Sequence, residues 1–247
     1  MSNARPVAII GEANSYSGPA LAREMARRGY DVVLGDASPG LVDEVNALGA
    51  KAVDVTGTNH LLEAEGSQRL VDAALSEFGR LDSATTATGI IVTGRFLKST
   101  IEDFHKAVKG CLEVPYHFLR AVVPVMVERG SGQVLVQTSA SGARVTPGAP
   151  LYSTARAGAN HLVKNVAAEV AASGVQVNAV GTNFMDFPGF LAANGITDDE
   201  SRKRVEAQVP MRRLGDIEEF ARFCANFIDG SFTFTTGQFV SYSGGWS

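Results

Sequence analysis

Short β-rich apolar runs alternate with longer amphipathic runs along the whole chain, and this alternation constrains the fold most. The short runs are RPVAII from Arg5, DVVLG from Asp31, AKAVDV from Ala50, LDSATTA from Leu81, GQVLVQTS from Gly132, VQVNAV from Val175 and GQFVSY from Gly237. Such alternation predicts parallel strands joined by helical crossovers. Right-handed crossovers then place helices on both faces, which gives an α/β fold with a doubly wound parallel sheet of about seven strands.

The longer runs predict helices over 18–30, 40–49, 67–79, 101–130, 151–173 and 216–228, with a polar, helix-prone insertion that reaches about Ala207. Pro115 lies inside the longest of these segments, where it either kinks the helix or is tolerated. The sequence shows no linker, repeat or low-complexity segment that would divide it. One domain over residues 1–247 is therefore the economical hypothesis.

Four loops follow strand ends that a doubly wound sheet brings to a common edge. They are GEANSYSG from Gly11, TATG from Thr86, TSAS from Thr138 and GTNFMDF from Gly181. Ligands of such folds bind outside the carboxyl ends of the strands. We therefore expect these four loops to form one site.

Composition narrows the partners that such a site can have. The 247 residues carry a net charge of −4, which gives no reason to expect nucleic acid or an anionic membrane. The sequence has no charged-then-apolar leader and no apolar run approaching about 18 residues, so we expect a cytoplasmic protein. Cys111 and Cys224 are far apart and the four histidines are scattered, which predicts that there is no metal site.

A serine, a tyrosine and an arginine stand at a spacing that suggests proton transfer. Twelve residues separate Ser139 from Tyr152, and Arg156 follows the tyrosine by four. Residues four apart share one face of a helix, so the arginine lies beside the tyrosine. Free tyrosine ionises near pH 10, and a cation within about 4–6 Å favours the phenolate. The three side chains therefore predict proton transfer to or from a substrate oxygen, which the serine hydroxyl can hold.

Motifs along nearly the whole chain resemble the short-chain dehydrogenase/reductase superfamily. They are the glycine-containing first turn, LDSATTATG, VLVQTSAS followed by YSTARAG, VQVNAVG, VPMRRLGDIEEFA and the closing TGQFVSYSGGW. The resemblance implies a Rossmann-like domain, and it specifies the fold more than the chemistry. Dehydrogenases of this superfamily have a lysine where this chain has Arg156.

The first turn departs from the dinucleotide-binding pattern Thr-Gly-x-x-x-Gly-x-Gly of the superfamily. Only the last glycine, Gly18, is kept. Glu12 brings a carboxylate towards the place of two phosphates, and like charges about 4 Å apart repel by roughly 1–4 kcal/mol. Tyr16 puts a ring where the backbone must stay bare. Likewise, the asparagine-rich motif after the fourth strand is replaced by 86–89, and Cys111 replaces the proton-relaying asparagine.

Two aspartates favour a cofactor instead. Asp36 follows the second strand, where an acidic residue would hold the ribose of NAD, and Asp54 resembles the adenine-pocket acid of the superfamily. Aspartates at strand ends are also common turn formers without any ligand. They are weak evidence for a nucleotide.

The spacing Ser-x12-Tyr-x3-Arg, with an aromatic residue in a glycine-poor first loop, resembles the halohydrin dehalogenases. These superfamily relatives use no nicotinamide. Tyr16 and Gly18 match their first loop, whereas Gly11 stands where the family usually has threonine. The runs MSNARPVAII, VGTNFMDFPGFL and GQFVSYSGGW are similar to the G subtype.

This resemblance implies a lyase that needs no cofactor. Ser139 would fix the substrate oxygen, Tyr152 would remove the hydroxyl proton of a vicinal halohydrin, and Arg156 would favour the phenolate. The alkoxide would then expel the neighbouring halide and close an epoxide. The reverse reaction would open epoxides with halide, azide, cyanide or nitrite. The implied partners are a small halohydrin or epoxide and an anion, and the implied assembly is a homotetramer.

The resemblance also implies a site for the halide or nucleophile. Its residues are Tyr16, Thr182, Asn183, Phe184 and Met185. Phe187 is a candidate for the substrate pocket, with hydrophobic cover for the sheet as an equal alternative, whereas Phe190 is expected to provide such cover. Asp186 is expected to be a structural cap or an exposed acid.

Two other functions compete with the lyase. The first is an NAD(P)-dependent short-chain oxidoreductase with an atypical Tyr-x3-Arg site, which Asp36 supports. The second is a catalytically silent binding protein, which the presence of both Ser139 and Tyr152 disfavours. Ser141 is a rival for Ser139 but falls outside the family spacing. Trp246 either reaches a neighbouring subunit or packs within its own.

Overall fold

Seven parallel strands form one sheet within residues 5–247, the part of the chain that this computed structural model describes. They are β1 (Val7–Ile10), β2 (Asp31–Gly35), β3 (Ala52–Val55), β4 (Ser83–Ala87), β5 (Gly132–Ser139), β6 (Val175–Thr182) and β7 (Phe239–Tyr242). Their order is β3-β2-β1-β4-β5-β6-β7, and each neighbouring pair is parallel. The predicted doubly wound, Rossmann-like sheet is confirmed, with its strand order reversing between β1 and β4.

Helices cover both faces of this sheet. They are α1 (Gly18–Arg27), α2 (Leu41–Ala47), α3 (Ala64–Phe78), α4 (Ile101–Val108), α5 (Val114–Arg129), α6 (Pro150–Val170), α7 (Pro188–Ala193), α8 (Asp199–Glu206) and α9 (Ile217–Ala225). α3, α5 and α6 build one core cluster, and α1, α2 and α9 build the other. Along β5, Val134 and Val136 enter the first cluster and Leu135 the second, because successive strand residues point to opposite faces.

The long helical stretch expected over 101–130 is confirmed as helix from Ile101 to Arg129, but its middle is not α-helical. A π-helical turn, Lys109–Glu113, separates α4 from α5. A Cβ on Gly110 would lie 2.4 Å from the Ile90 side chain, so the loop after β4 presses directly on this turn. Pro115 lies in the first turn of α5, directly after the π-helical turn.

The segment between β6 and α9 adds two short helices to the fold. The polar insertion contains α7 and α8, as its helix-prone composition predicts. No helix within residues 5–247 combines the length and apolarity needed to cross a bilayer. The single domain over 1–247 includes residues 1–4, which lie outside the described part, and it stays a prediction. Ser139 and Thr182 are paired neighbours at the ends of β5 and β6, so the parallel sheet brings their loops together.

Candidate active site

Ser139 ends β5 with its side chain buried against the end of β6. Its hydroxyl donates to the Thr182 carbonyl oxygen at 3.3 Å and accepts from the Ser141 backbone N–H at 3.2 Å. Ser141, the rival serine, lies in the one-turn 3-10 helix Ala140–Ala143. The sheet thus presents Ser139 at the edge where the four loops meet, while Ser141 supports it through the backbone.

Tyr152 and Arg156 lie on one face at the start of α6. The guanidinium carbon is 5.0 Å from the centroid of the tyrosine ring. Tyr152 packs among Ala107, Cys111 and Ala155, yet its hydroxyl makes no hydrogen bond to any other described residue. Within residues 5–247 the phenol oxygen is therefore free for a substrate.

Arg156 is buried to 4% exposure and is held by the loop after β4. Its Nη1 donates to the Thr88 hydroxyl at 2.7 Å, and its Nη2 donates to the Thr88 carbonyl oxygen. The sequence showed only that this loop lacks the usual asparagine-rich motif. The role of Thr88 was missed, because the contact joins residues 68 positions apart.

Tyr16 connects the loop after β1 to the end of β6. Its backbone is left-handed with φ +54°, and its hydroxyl lies 2.7 Å from the Thr182 hydroxyl at the end of β6. Its ring packs edge-on against Phe187 at 4.8 Å and against Phe220 at 6.0 Å. Desolvation raises the pKa of the Tyr16 hydroxyl, with the Thr182 hydrogen bond opposing this effect. Tyr16 therefore stays a neutral phenol, which suits a hydrogen-bond donor better than a base.

The predicted halide residues after β6 separate into two groups. Thr182 bonds Tyr16, and the Asn183 Oδ1 accepts from the Phe184 N–H at 2.9 Å. Phe184 is buried in a cluster with Val209 and Leu214. Met185 is buried in the core cluster that contains α9. Packing thus occupies the Phe184 and Met185 side chains, which the resemblance to the halohydrin dehalogenases had placed in the anion site.

Aromatic and charged neighbours hold this loop in place. Phe187 contacts the Tyr16 ring, whereas Phe190 packs against both Phe184 and Phe187. Trp246 packs on Phe184 at 5.6 Å within the same chain. Asp186 forms an ion pair with Arg202 of α8. Its charge is thereby tied to α8.

Glu12 and His60 form a pair that the sequence did not reveal. The Glu12 carboxylate lies 2.8 Å from His60 Nδ1; Glu12 is 8% exposed, whereas the His60 side chain is 65% exposed. Burial raises the pKa of the Glu12 carboxyl above its ordinary value of 4.5, and the His60 ring opposes part of this effect. Asn59, His60 and Leu61 all have left-handed backbones, which their residue types do not predict.

Replacing Glu12 with glutamine is expected to stabilise the protein at pH 7.5. The raised pKa means that ionisation of Glu12 costs folding free energy, so stability present below pH 4.5 is lost as the pH rises through the folded value. Urea unfolding at several pH values measures this: the advantage of Glu12→Gln should shrink towards pH 4.5. The exposed Glu169→Gln is the matched control. Lower stability of Glu12→Gln at pH 7.5 would mean that the His60 pair outweighs burial.

The two aspartates that favoured a cofactor are bound to their own chain. The Asp36 carboxylate accepts hydrogen bonds from the backbone N–H groups of Gly57, Thr58 and Asn59 and from the Thr58 hydroxyl. Burial is the largest single effect on the Asp36 carboxyl and raises its pKa. The hydrogen bonds together outweigh it and hold the pKa below its ordinary value of 3.8. Asp54 Oδ1 accepts from the Ala37 N–H at 2.9 Å. Both carboxylates therefore act as turn formers.

Cys111 is buried in the π-helical turn beside the catalytic candidates. Its thiol donates to the Ile90 carbonyl oxygen at 3.5 Å. Burial raises the pKa of this thiol, with Arg156 opposing the effect. Cys111 therefore stays protonated near neutrality. In residues 5–247, no group of three or more His, Cys, Asp or Glu side chains is placed to hold a metal ion.

Known proteins resemble this chain along nearly its full length. A family model described as enoyl-(acyl carrier protein) reductase matches residues 11–247. The 3-oxoacyl-[acyl-carrier-protein] reductase of Synechocystis sp. is 30% identical, over 97% of this chain and 96% of that protein. The 2,5-dichloro-2,5-cyclohexadiene-1,4-diol dehydrogenase LinX of Sphingobium indicum is 29% identical, over 98% and 96%.

The fold is also shared with a solved structure. A 7α-hydroxysteroid dehydrogenase complexed with NADH and a steroid superposes with a TM-score of 0.85 at 24% identity. The match covers 97% of this chain and 93% of that one. A likeness at this identity supports the architecture alone, so the chemistry has to be argued from the residues at the strand ends.

Proposed function

The chain belongs to the short-chain dehydrogenase/reductase superfamily, and within it we propose that the protein is a halohydrin dehalogenase. One observation carries this proposal. Tyr16 reaches from the loop after β1 to Thr182 at the end of β6, beside Ser139. The ring of Tyr16 also contacts Phe187 in the loop after β6, so an aromatic side chain of the first loop lies against the end of β6.

The residues of the first loop do not fit the dinucleotide that the fold family implies. A pyrophosphate needs bare backbone and free N–H groups at a helix start. Here the loop carries the buried Glu12 carboxylate and the Tyr16 side chain where bare backbone is needed. The Asp36 carboxylate, which would hold a ribose, already accepts four hydrogen bonds. No step of the proposed reaction uses a nicotinamide.

The proposed reaction begins with proton transfer. Tyr152, as phenolate, takes the hydroxyl proton of a vicinal halohydrin while the Ser139 hydroxyl holds the same oxygen. The alkoxide oxygen forms a bond to the neighbouring carbon, and the carbon–halogen bond breaks with its electron pair leaving on the halide. The products are an epoxide and a halide ion, and the proton passes from Tyr152 to solvent. Both reacting groups sit in one molecule, so the enzyme gains much of the proximity effect without further binding.

Arg156 supplies the positive charge that favours the phenolate. The guanidinium stays protonated under all ordinary conditions, and it faces the tyrosine ring at 5.0 Å. Among the charged groups of residues 5–247 it forms no ion pair with a carboxylate within 4 Å. Its field is therefore not cancelled by a counter-charge.

The departing anion is assigned to the space beside Tyr16. The Tyr16 and Thr182 hydroxyls bond each other, which leaves one hydroxyl proton of the pair, together with the Asn183 amide, as donors to an anion. Aromatic edges also carry partial positive charge. Phe187, in contact with Tyr16, would line the substrate pocket. Microscopic reversibility lets Tyr152 protonate an epoxide while halide, azide, cyanide or nitrite attacks carbon. The homotetramer and a cytoplasmic location stay predictions.

The second candidate is an NAD(P)-dependent oxidoreductase with the same Tyr-x3-Arg site. The names of the relatives favour it, since they are reductases and a dehydrogenase. On comparison alone it is better supported than the dehalogenase. The residues of the first loop and Asp36 favour the dehalogenase, and this conflict requires a direct test.

Incubation with a vicinal bromo-alcohol distinguishes the two candidates. We expect bromide and the epoxide to accumulate in equal amounts without added nucleotide, as measured by bromide assay and gas chromatography. NADH or NADPH fluorescence should be unchanged on adding protein. Nucleotide binding together with nucleotide-dependent oxidation of alcohols, and no bromide release, would establish the oxidoreductase instead.

A further inference from the structure

The segment Thr88–Ile90 lies between the arginine of the site and the π-helical turn. Thr88 follows β4, and its N–H and its hydroxyl both donate to the Gln137 carbonyl oxygen, at 3.1 and 3.0 Å. Gln137 lies on β5 two residues before Ser139. Thr88 is thus fixed to the strand that carries the serine.

The same Thr88 residue supplies the hydrogen bonds of the Arg156 guanidinium. Its hydroxyl accepts from Nη1 and its carbonyl oxygen accepts from Nη2, while the buried Arg156 Nε has no partner. A buried charge is stable only when its polar groups are satisfied. Two oxygen atoms of one residue therefore hold a guanidinium that is 4% exposed.

Gly89 packs directly against the Arg156 guanidinium. Its φ is +124°, and a Cβ at this position would lie 1.8 Å from Arg156 Nη2. On the other side of the segment, a Cβ on Gly110 would lie 2.5 Å from the Ile90 nitrogen. The segment therefore lies against the Arg156 guanidinium on one side and against Gly110 on the other. A shift of the segment would move the guanidinium.

We propose that Thr88 is a positioning residue that holds Arg156 over the ring of Tyr152 and thereby keeps the guanidinium charge beside the reacting phenol. This proposal rests on the proposed function for its meaning in catalysis. The hydroxyl of Thr88 is its essential part, since one oxygen both donates to Gln137 and accepts from Arg156.

Few titratable groups face Tyr152 besides Arg156. Cys111 packs against it from the π-helical turn, and Tyr16 faces it from the loop after β1. Both stay neutral near pH 7 because desolvation raises the pKa of each. Among these three groups, Arg156 is therefore the one that is charged near pH 7.

The pair Thr88→Val and Thr88→Ser tests the proposal. Valine keeps the shape of threonine and removes the hydroxyl, whereas serine restores the hydroxyl. We expect the acidic limb of the kcat/KM profile for bromide release to move to higher pH by about one unit in Thr88→Val. Thr88→Ser should rescue the wild-type profile. A Thr88→Val profile that coincides with wild type, or an equal shift in both variants, would overturn the proposal.

A spectroscopic titration separates this proposal from the proposed function. Tyrosinate absorbance is followed against pH, and the difference between each protein and its own Tyr152→Phe version isolates Tyr152. The difference should appear at higher pH in Thr88→Val, even if wild type releases no bromide and the dehalogenase proposal fails. If Thr88→Val does not fold by circular dichroism, Thr88→Ala replaces it with the same expectation. An unmoved difference in a folded, hydroxyl-free variant contradicts the proposal.

Discussion

Tyr152→Phe is expected to lower bromide release by about 10³-fold or more, which corresponds to about 4 kcal/mol of transition-state stabilisation. The substitution removes only the phenol oxygen, which makes no hydrogen bond to other described residues. The ring can keep its packing with Ala107, Cys111 and Ala155. The loss should therefore fall on the chemical step, with little change in the free energy of unfolding. Initial rates with a bromo-alcohol at saturating concentration measure it.

Tyr116→Phe is the matched control for this experiment. Tyr116 lies on α5 and is 49% exposed, so the same change there should leave the rate within about twofold of wild type. The epoxide-opening reaction with azide should fall in parallel in Tyr152→Phe, since one proton carrier serves both directions. Activity of Tyr152→Phe within tenfold of wild type in either direction would exclude Tyr152 as the base.

The second large effect concerns the first loop. Gly18→Ala is expected to reduce the free energy of unfolding by about 3 kcal/mol, because the new Cβ would lie 1.9 Å from the Glu12 carbonyl oxygen. Backbone atoms cannot rotate away as a side chain does, so the start of α1 and the Tyr16 turn must move. Thermal unfolding should show a drop of about 6–12 °C for a chain of this size.

Gly158→Ala separates this contact from a general effect of removing glycine. Gly158 lies inside α6, where a Cβ would meet only Leu112 at 3.5 Å. Alanine there should be neutral or stabilising by up to about 1 kcal/mol. If Gly18→Ala unfolds within 1 °C of wild type, the first loop is not packed as described.

The parts of the fold that depend on local pattern were predictable. β5 matches GQVLVQTS residue for residue, because all eight positions are buried and the run is rich in β-branched and apolar side chains. The order of elements followed from alternation alone. The π-helical turn Lys109–Glu113 was not predictable, since it lies against Ile90, which comes from a different part of the chain and packs on Gly110.

The candidate site divides along the same line. Spacing brought Ser139, Tyr152 and Arg156 to attention, and the structure places the last two in contact. Spacing could not show that Thr88 holds Arg156, because the two residues are 68 positions apart and meet only through the folded sheet. The family resemblance placed Phe184 in the anion site, whereas the structure buries its ring in a separate cluster, with a left-handed backbone at φ +56°.

The bonds of Asp36 bear on how coenzyme preference is assigned in large sequence collections. An acidic residue after the second strand is commonly taken to select NAD over NADP, because a free carboxylate can bind the ribose diol. In this chain the residue type is present, but its lone pairs are taken by Gly57, Thr58 and Asn59. The residue type alone therefore does not show that its carboxylate is available to a ribose. Freeing the Asp36 carboxylate by design would require changing the segment 57–59, whose backbone N–H groups donate to it.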